Sequence, residues 1–470
     1  MSAIETLKST LAGIRIEDNP AIVKQKSRDF YWYSPILKRQ LDHVSADLFV
    51  SPKSEDEVVR VVKAAFEANV PITPRGTGTG NYGQAMPLAG GIVLSLADMN
   101  AVKSIRKGVV VAEAGAIIHD ICEATRAHSG QELRLWPSTA KTATIGGFIA
   151  GGSGGVGSIA WGGLRDAGNI LRCRAVTMEA EPRILDLTGD DLTKVNHAYG
   201  TTGIITEVEM PLTVAADWVD VFAAFDDVMT AVRCADRVAR MDGLEKKQLA
   251  VIGGPAPHQY FLRHRKYVAE TDSVIAAMIA PEAVADFARV VERMGGRLAF
   301  RSDSASEEEA KGLPPSYELC WNHTTLRALR VDPSVTYLQI LFPAPNHVSL
   351  VQKMAEIFGD EVPVHLEFVR FDGEVLCFGL HLVRYTTDAR LEEIVRIFEE
   401  NGCPIFNPHR YTLEEGGMKQ TDQVQLAFKR EADPKGLLNP GKMVAWEDPN
   451  YDFASGKVFL FRGIEEGVGA

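Results

Sequence analysis

Pro74-Arg75-Gly76-Thr77-Gly78-Thr79-Gly80-Asn81-Tyr82-Gly83 is the stretch that decides the fold, and it has a counterpart downstream in Ile145-Gly146-Gly147-Phe148-Ile149-Ala150-Gly151-Gly152-Ser153-Gly154-Gly155-Val156-Gly157-Ser158. Runs of this kind bring backbone N–H groups up to a phosphate because no side chain stands in the way. Two of them in one half of a chain imply a dinucleotide. Neither has the strand-to-helix glycine spacing of a nucleotide Rossmann fingerprint, and neither ends in the Gly-Lys-Ser/Thr of a P-loop. Each glycine taken singly is explained by a tight turn, but the clustering in two runs is not.

Outward from the first run, residues 47–51 read as a strand, Ser54-Glu55-Asp56-Glu57 as a helix cap with acids in the first turn, and residues 58–68 as the amphipathic body of that helix. Residues 70–74 form the strand that feeds the loop, and residues 91–96 and 108–115 read as further sheet strands. Helix, strand and glycine turn alternate in this way to about residue 212, as in a nucleotide-binding domain. From Val214 the pattern changes to longer amphipathic segments, 228–241 and 281–294, and short strands such as 336–342. That predicts a second α+β domain. The acidic stretch 302–311 reads as a solvated loop, and the turn-rich segment 433–442 predicts a return to the first domain.

The chain has 470 residues, beyond the size at which one core keeps growing, so two domains are expected. A net charge of -12 argues against nucleic acid or an anionic membrane as partner. The six cysteines stand singly, without the close pairs that hold zinc or an iron–sulfur cluster, and read as reduced thiols of a cytoplasmic protein. His119 and Cys122, in a helix-like stretch, are expected to be structural. No run approaches the roughly 18 apolar residues of a membrane span, and residues 1–15 lack a signal pattern.

Six ordered motifs together resemble the FAD-linked oxidase superfamily of vanillyl-alcohol oxidase, para-cresol methylhydroxylase and the D-lactate and glycolate dehydrogenases. They are residues 71–83, Gly115, Trp136-Pro137-Ser138 with Ile145-Gly146-Gly147, residues 162–166, residues 200–207, and residues 433–442. The resemblance implies an α+β fold: a two-lobed FAD-binding domain, residues 1–213 with 420–470 returning to it, and an antiparallel-sheet cap for the substrate, residues 214–419. It assigns FAD to Pro74, Arg75, Gly76, Thr77, Gly78, Thr79, Gly80 and Asn81 around the pyrophosphate, with the hydroxyls of Thr77 and Thr79 as extra donors. Pro137, Ser138, Ile145, Gly146, Gly147, Gly151, Gly157 and Ser158 would line the ribityl chain and flavin, Gly203, Ile204 and Ile205 the adenine, with Asn439 and Lys442 closing the site. Thr79 stands where some members carry a flavin-bonded histidine, so the FAD is expected to be non-covalent.

The same resemblance places the chemistry at Asn407-Pro408-His409-Arg410-Tyr411. His409 matches the base of the hydroxy-acid branch, and Arg410 matches the arginine that stabilises a phenolate in the phenol branch, with Tyr411 beside it. Pro408 replaces a metal-ligating Glu, and the family's two-His segment survives only as Glu374 and His381, so no metal is expected. Arg410 beside His409 would keep the imidazole neutral, and an arginine there could equally hold a carboxylate. A second constellation, Trp321, Asn322, His323 and Arg327 with Arg330, is either the roof of a substrate pocket or a capped helix start. Tyr31-Trp32-Tyr33-Ser34 reads as a packing cluster, although the resemblance implies that such an N-terminal segment can reach the flavin edge, and His365 with Glu367 reads as a solvated strand face or else a catalytic dyad. Three readings follow: a dehydrogenase of a small hydroxy acid, with His409 as base and Arg410 or Arg327 as anchor; an oxidase of a para-hydroxylated aromatic alcohol; or a flavin-carrying electron-transfer subunit. The electron acceptor, whether oxygen, quinone or another protein, is not legible here, and a homodimer is left open.

Overall fold

Ser54 opens the first long helix, Glu55–Ala68: its hydroxyl accepts the Glu57 N–H, and Glu55, Asp56 and Glu57 face the positive end of the backbone dipole. Asn69 closes it in the left-handed conformation, φ 54°, and turns the chain into the strand Ile72–Arg75. In this computed structural model, which describes residues 3–152 and 154–464, that strand and Leu48–Ser51 flank Ile92–Ser95 in parallel, with Arg15–Glu17 antiparallel at the far edge. Ser153 of the second glycine run and residues 465–470 lie outside the described residues. The open edge at Ile72 is covered by the C-terminal segment, because the Ile72 N–H donates to the Leu437 carbonyl and the Asn439 N–H to the Ile72 carbonyl, each at 2.8 Å.

A second sheet is antiparallel, in the order Val102–Arg106, Val109–Glu113, Ile204–Val214, Arg172–Val176, Ile184–Thr188, with Gln131–Leu133 also on the long strand. Both sheets and the helices between them share one apolar core that runs from Leu7 to Leu438. The second glycine run forms the short helix Ile145–Gly151, whose first turn sits against Ala114 at the end of Val109–Glu113.

The cap is an eight-stranded sheet in the order Arg297–Arg301, Val219–Phe225, Ser273–Ile279, Lys246–Ile252, His365–Phe371, Glu374–Gly379, Gln339–Phe342, Ile405–Phe406. Lys246–Ile252 and Ser273–Ile279 are buried at every position, so they show no alternation of apolar and polar residues. Helices Val228–Ala239, Val284–Arg293, His347–Phe358 and Asp388–Glu400 cover one face. On the other face lie Ala256–Tyr260 and the cap helix Asn322–Leu329, which also meets the turn Tyr31–Tyr33 from the N-terminal part of the chain. This last contact brings the cap to the rim of the glycine loops.

Candidate active site

The strand Ile72–Arg75 delivers the chain into a loop whose amides are left over. Among the described residues, no N–H from Gly76 to Gly80 donates a hydrogen bond within the protein. Unpaired backbone donors in series are costly unless water or a ligand accepts from them. The Arg75 guanidinium holds the carbonyls instead: it donates to those of Gly76, at 3.3 Å, and Thr77, at 2.7 Å, and to that of Lys26. Side chains at the glycines would close the site. A Cβ on Gly76 would lie 1.9 Å from the Thr144 hydroxyl, and one on Gly78, φ +75°, 2.0 Å from Arg75. Thr144 in turn caps Ile145–Gly151 by accepting the Gly147 N–H, so the two glycine runs meet through one threonine.

Between them runs a cleft of about 770 Å³. Pro74, Arg75, Gly76, Thr77, Gly78, Thr79 and Gly80 line it on one side, Gly146, Gly147 and Gly151 on the other, and Gly203 and Ile205 at the end. Gln84, Ala85, Thr144, Tyr199 and Gly200 also line it; sequence reasoning assigned none of these to the cofactor, although Gly200 opens the motif that supplies Gly203. Expectations fail at Thr77, whose hydroxyl donates to the Thr142 carbonyl at 2.6 Å and is not a spare donor. Asn81 is buried and donates to the Tyr337 hydroxyl. Ile145 and Ile204 belong to the core, Pro137 accepts the Ala140 N–H, and Ser158 accepts the Gly155 N–H beside Gly157, whose own N–H goes to the Lys247 carbonyl. Asn439 donates to the carbonyls of Gln84 and Tyr199, and Lys442 to that of Gly83. Lys442 faces buried Asp29, which accepts the N–H groups of Tyr31 and Ala85, and burial pushes both ionisable groups toward neutrality. These residues clamp the loop from behind.

At the cap end, four buried polar atoms have no partner: Trp321 Nε1, Asn322 Oδ1, His323 Nδ1 and Arg327 Nε. The first three belong to the start of the helix Asn322–Leu329 and the fourth to its last turn, and the Trp321 indole reaches the second glycine run, 3.3 Å from where a Cβ on Gly154 would stand. Phe30 ties the neighbouring turn to the first run by donating to the Gly80 carbonyl at 2.7 Å. Burial pushes the His323 imidazole down to about 4, Glu318 opposing and Arg327 adding to the effect, so it is neutral near pH 7. The same desolvation, together with Arg330, lowers Arg327 from its ordinary value. No side chain caps the helix start: Trp321 stands at the N-cap position without a side-chain hydrogen bond, and the Asn322 amide oxygen has no partner within the protein.

The segment 407–411 is arranged differently. His409 Nε2 donates to the Tyr337 carbonyl at 3.1 Å, and Nδ1 accepts from the Ser34 hydroxyl at 2.7 Å, so neither nitrogen keeps a lone pair for a substrate proton. Burial, then Arg410, pushes this imidazole down to about 3. Arg410 pairs with Glu392 at 2.5 Å, and the Tyr411 ring sits in an apolar cluster with Tyr31, Leu41 and Met86, its hydroxyl accepting the Phe461 N–H. None of the three lines the cleft. Glu374 is exposed at the start of its strand, whereas His381 is buried between Phe342 and Phe398, so the two do not converge. Among the described residues no three His, Cys, Asp or Glu side chains gather as a metal site. His365 and Glu367 are not a solvated face: both are 1% exposed, with His365 Nε2 2.9 Å from Glu367 Oε1.

Residues 46–185 match the family model described as FAD binding domain. A solved alkyldihydroxyacetonephosphate synthase superposes over 94% of this chain and 84% of that one, with a TM-score of 0.70 at 17% identity, which speaks for the fold. The chain is an FAD-linked oxidoreductase of the vanillyl-alcohol oxidase fold. Its relatives include the glycolate oxidase subunit GlcD of Bacillus subtilis, 26% identical over 450 residues that cover 85% of this chain and 89% of that one. A D-lactate dehydrogenase of Archaeoglobus fulgidus is 32% identical over 203 residues, 41% of this chain and 44% of that enzyme. FAD is the cofactor, and the free amides of Gly76–Gly80 with the side-chain-free cradle around them fit its pyrophosphate. No helix among the described residues is long and apolar enough to cross a membrane.

Proposed function

We propose that this FAD-linked oxidoreductase oxidises a small D-2-hydroxy acid, with its substrate seated between the second glycine run and the start of the cap helix. The observation that carries the reading is the set of four unpartnered buried atoms at Trp321, Asn322, His323 and Arg327. Unpaired polar atoms of this kind, donors and acceptors alike, are costly in a folded protein unless a ligand or water completes them. Arg327, whose guanidinium lies 3.7 Å from Glu318 Oε2, offers a carboxylate a charged donor, and the Trp321 indole N–H offers a neutral one. The Asn322 amide oxygen is an acceptor for the substrate hydroxyl.

FAD, when bound, supplies the acceptor for the hydride that leaves the carbinol carbon. The protein must remove the hydroxyl proton. His323 is suited to it, because its neutral imidazole has a nitrogen without a partner, whereas His409 has none to spare. His409 instead fastens the Ser34 turn to the cap strand that ends at Tyr337. The names of the relatives, glycolate oxidase subunit and D-lactate dehydrogenase, agree with a small hydroxy acid. Arg410, engaged with Glu392, is not placed to stabilise a phenolate.

The reading is tested by anaerobic flavin reduction against a panel of D- and L-2-hydroxy acids and para-hydroxylated aromatic alcohols. Bleaching by one or more D-2-hydroxy acids, and not by the aromatic alcohols, is expected. Reduction by the aromatic alcohols alone overturns it.

A further inference from the structure

Trp321 occupies a backbone conformation that a tryptophan avoids, φ 52° and ψ -143°. A non-glycine residue there is strained and persists only where its surroundings hold it. What holds it is a carboxylate, since Glu367 Oε1 accepts the Trp321 N–H at 2.6 Å. Glu367 is itself bound by His365, two residues earlier on the same face of the strand His365–Phe371. His365 Nδ1 lies 3.0 Å from the Leu380 carbonyl and Nε2 2.9 Å from the carboxylate. A carbonyl only accepts, so Nδ1 carries a hydrogen. The second contact then needs one further proton, on Nε2 or on the carboxyl, and the buried pair is net neutral. That is the state a site 1% exposed favours, and burial raises Glu367 above the ordinary carboxylate range. The Thr324 hydroxyl, 3.4 Å from His365 Nε2, is tied down by its own bond to the Leu319 carbonyl.

We propose that Glu367 and His365 are positioning residues: the carboxylate pins the strained Trp321 amide and thereby aims the indole at the second glycine run and sets the substrate-binding Asn322 amide beside it. The identity of the substrate rests on the function proposed above; the pinning of Trp321 does not. The hydrogen-bond count also tells the substitutions apart. In Glu367→Gln an amide oxygen in the Oε1 position still accepts the Trp321 N–H, while His365 Nε2, which faces that same atom, loses the shared proton. In Glu367→Leu both contacts are lost.

The test combines hydrogen–deuterium exchange of the holoenzyme, resolved across residues 319–326, with steady-state kinetics on the best hydroxy acid. Glu367→Leu should exchange the Trp321 amide at least ~10-fold faster and raise KM ~10-fold, with kcat within ~3-fold and FAD content unchanged. Glu367→Gln should keep the amide protected and KM within ~3-fold of wild type. Unchanged exchange or unchanged KM in the leucine variant overturns the proposal. So does a uniform rise in exchange across the cap in step with falling Tm, kcat and FAD content, which marks a merely structural role. If the leucine variant does not accumulate, the glutamine variant decides: a KM raised ~10-fold with Trp321 still protected contradicts the pin. If no hydroxy acid reduces the wild-type flavin, the proposed function fails, and the exchange result alone judges the pinning.

Discussion

Gly76–Gly80 and Asn407–Tyr411 are both short polar stretches set into apolar surroundings, and they differ in what is left unpaired. In the first, no amide finds a partner among the described residues. In the second, both His409 nitrogens, the Arg410 guanidinium and the Tyr411 hydroxyl are all engaged. The cap helix resembles the first stretch, with four unpartnered atoms on Trp321, Asn322, His323 and Arg327. An unpaired polar group can be completed by a ligand, whereas a fully paired one has nothing left to offer it. His409 has the residue type of a base and the environment of a bolt.

The largest expected effect breaks the open stretch. Gly76→Val drives a side chain into the Thr144 hydroxyl, 1.9 Å from the ideal Cβ, and should leave the purified protein essentially without flavin by its visible absorbance. Wild-type protein, denatured in acid, should release its FAD into the supernatant. Next is the cap: Arg327→Met removes a charge-assisted bond of about 1.5–3 kcal/mol, so kcat/KM for the best hydroxy acid should fall roughly 10- to 150-fold. Unchanged kcat/KM would move the carboxylate elsewhere.

A smaller effect concerns buried histidines. His323 is pushed down to about 4, and His381 and His409 to about 3, each by burial, whereas an unfolded imidazole titrates near 6.5. The unfolded chain therefore binds more protons between about pH 6.5 and pH 4, and stability must fall as pH drops through that window. Urea midpoints at pH 7 and pH 5 should show the loss. His381→Phe, which places an apolar ring between Phe342 and Phe398, should make it smaller. The smallest effect is that of Arg410→Ala, which breaks a partly exposed pair with Glu392 and should cost about 1 kcal/mol or less with kcat/KM unchanged. A large loss of turnover there would restore the segment to the active site.

Much of the cofactor end was legible because glycine clustering reports a backbone requirement that no other residue meets. The cleft runs where the two glycine runs suggested, with Gly203 and Ile205 at its end. Asn439 and Lys442 were picked out by their motif, but the motif does not say that they hold the loop's carbonyls from behind. The substrate end was less legible, since it is made by tertiary pairing. Nothing local in Asn407-Pro408-His409 shows that Ser34 and Tyr337 will occupy both ring nitrogens. His365 and Glu367 alternate as an exposed face would, and only the strands and helix packed over them turn the pair into a buried one. Trp321-Asn322-His323 is ambiguous in sequence between helix cap and pocket, and the unpartnered atoms there are what the proposed substrate site rests on.

The central claim is that the substrate meets the cap helix and not the segment 407–411, and anaerobic flavin reduction by the best hydroxy acid in His323→Ala and His409→Ala tests it most directly. His323→Ala should slow reduction by about 10²- to 10⁴-fold, the span expected for a lost general base, while flavin-loaded His409→Ala stays near the wild-type rate despite lower stability. A wild-type rate in His323→Ala with a collapse in His409→Ala would contradict the account.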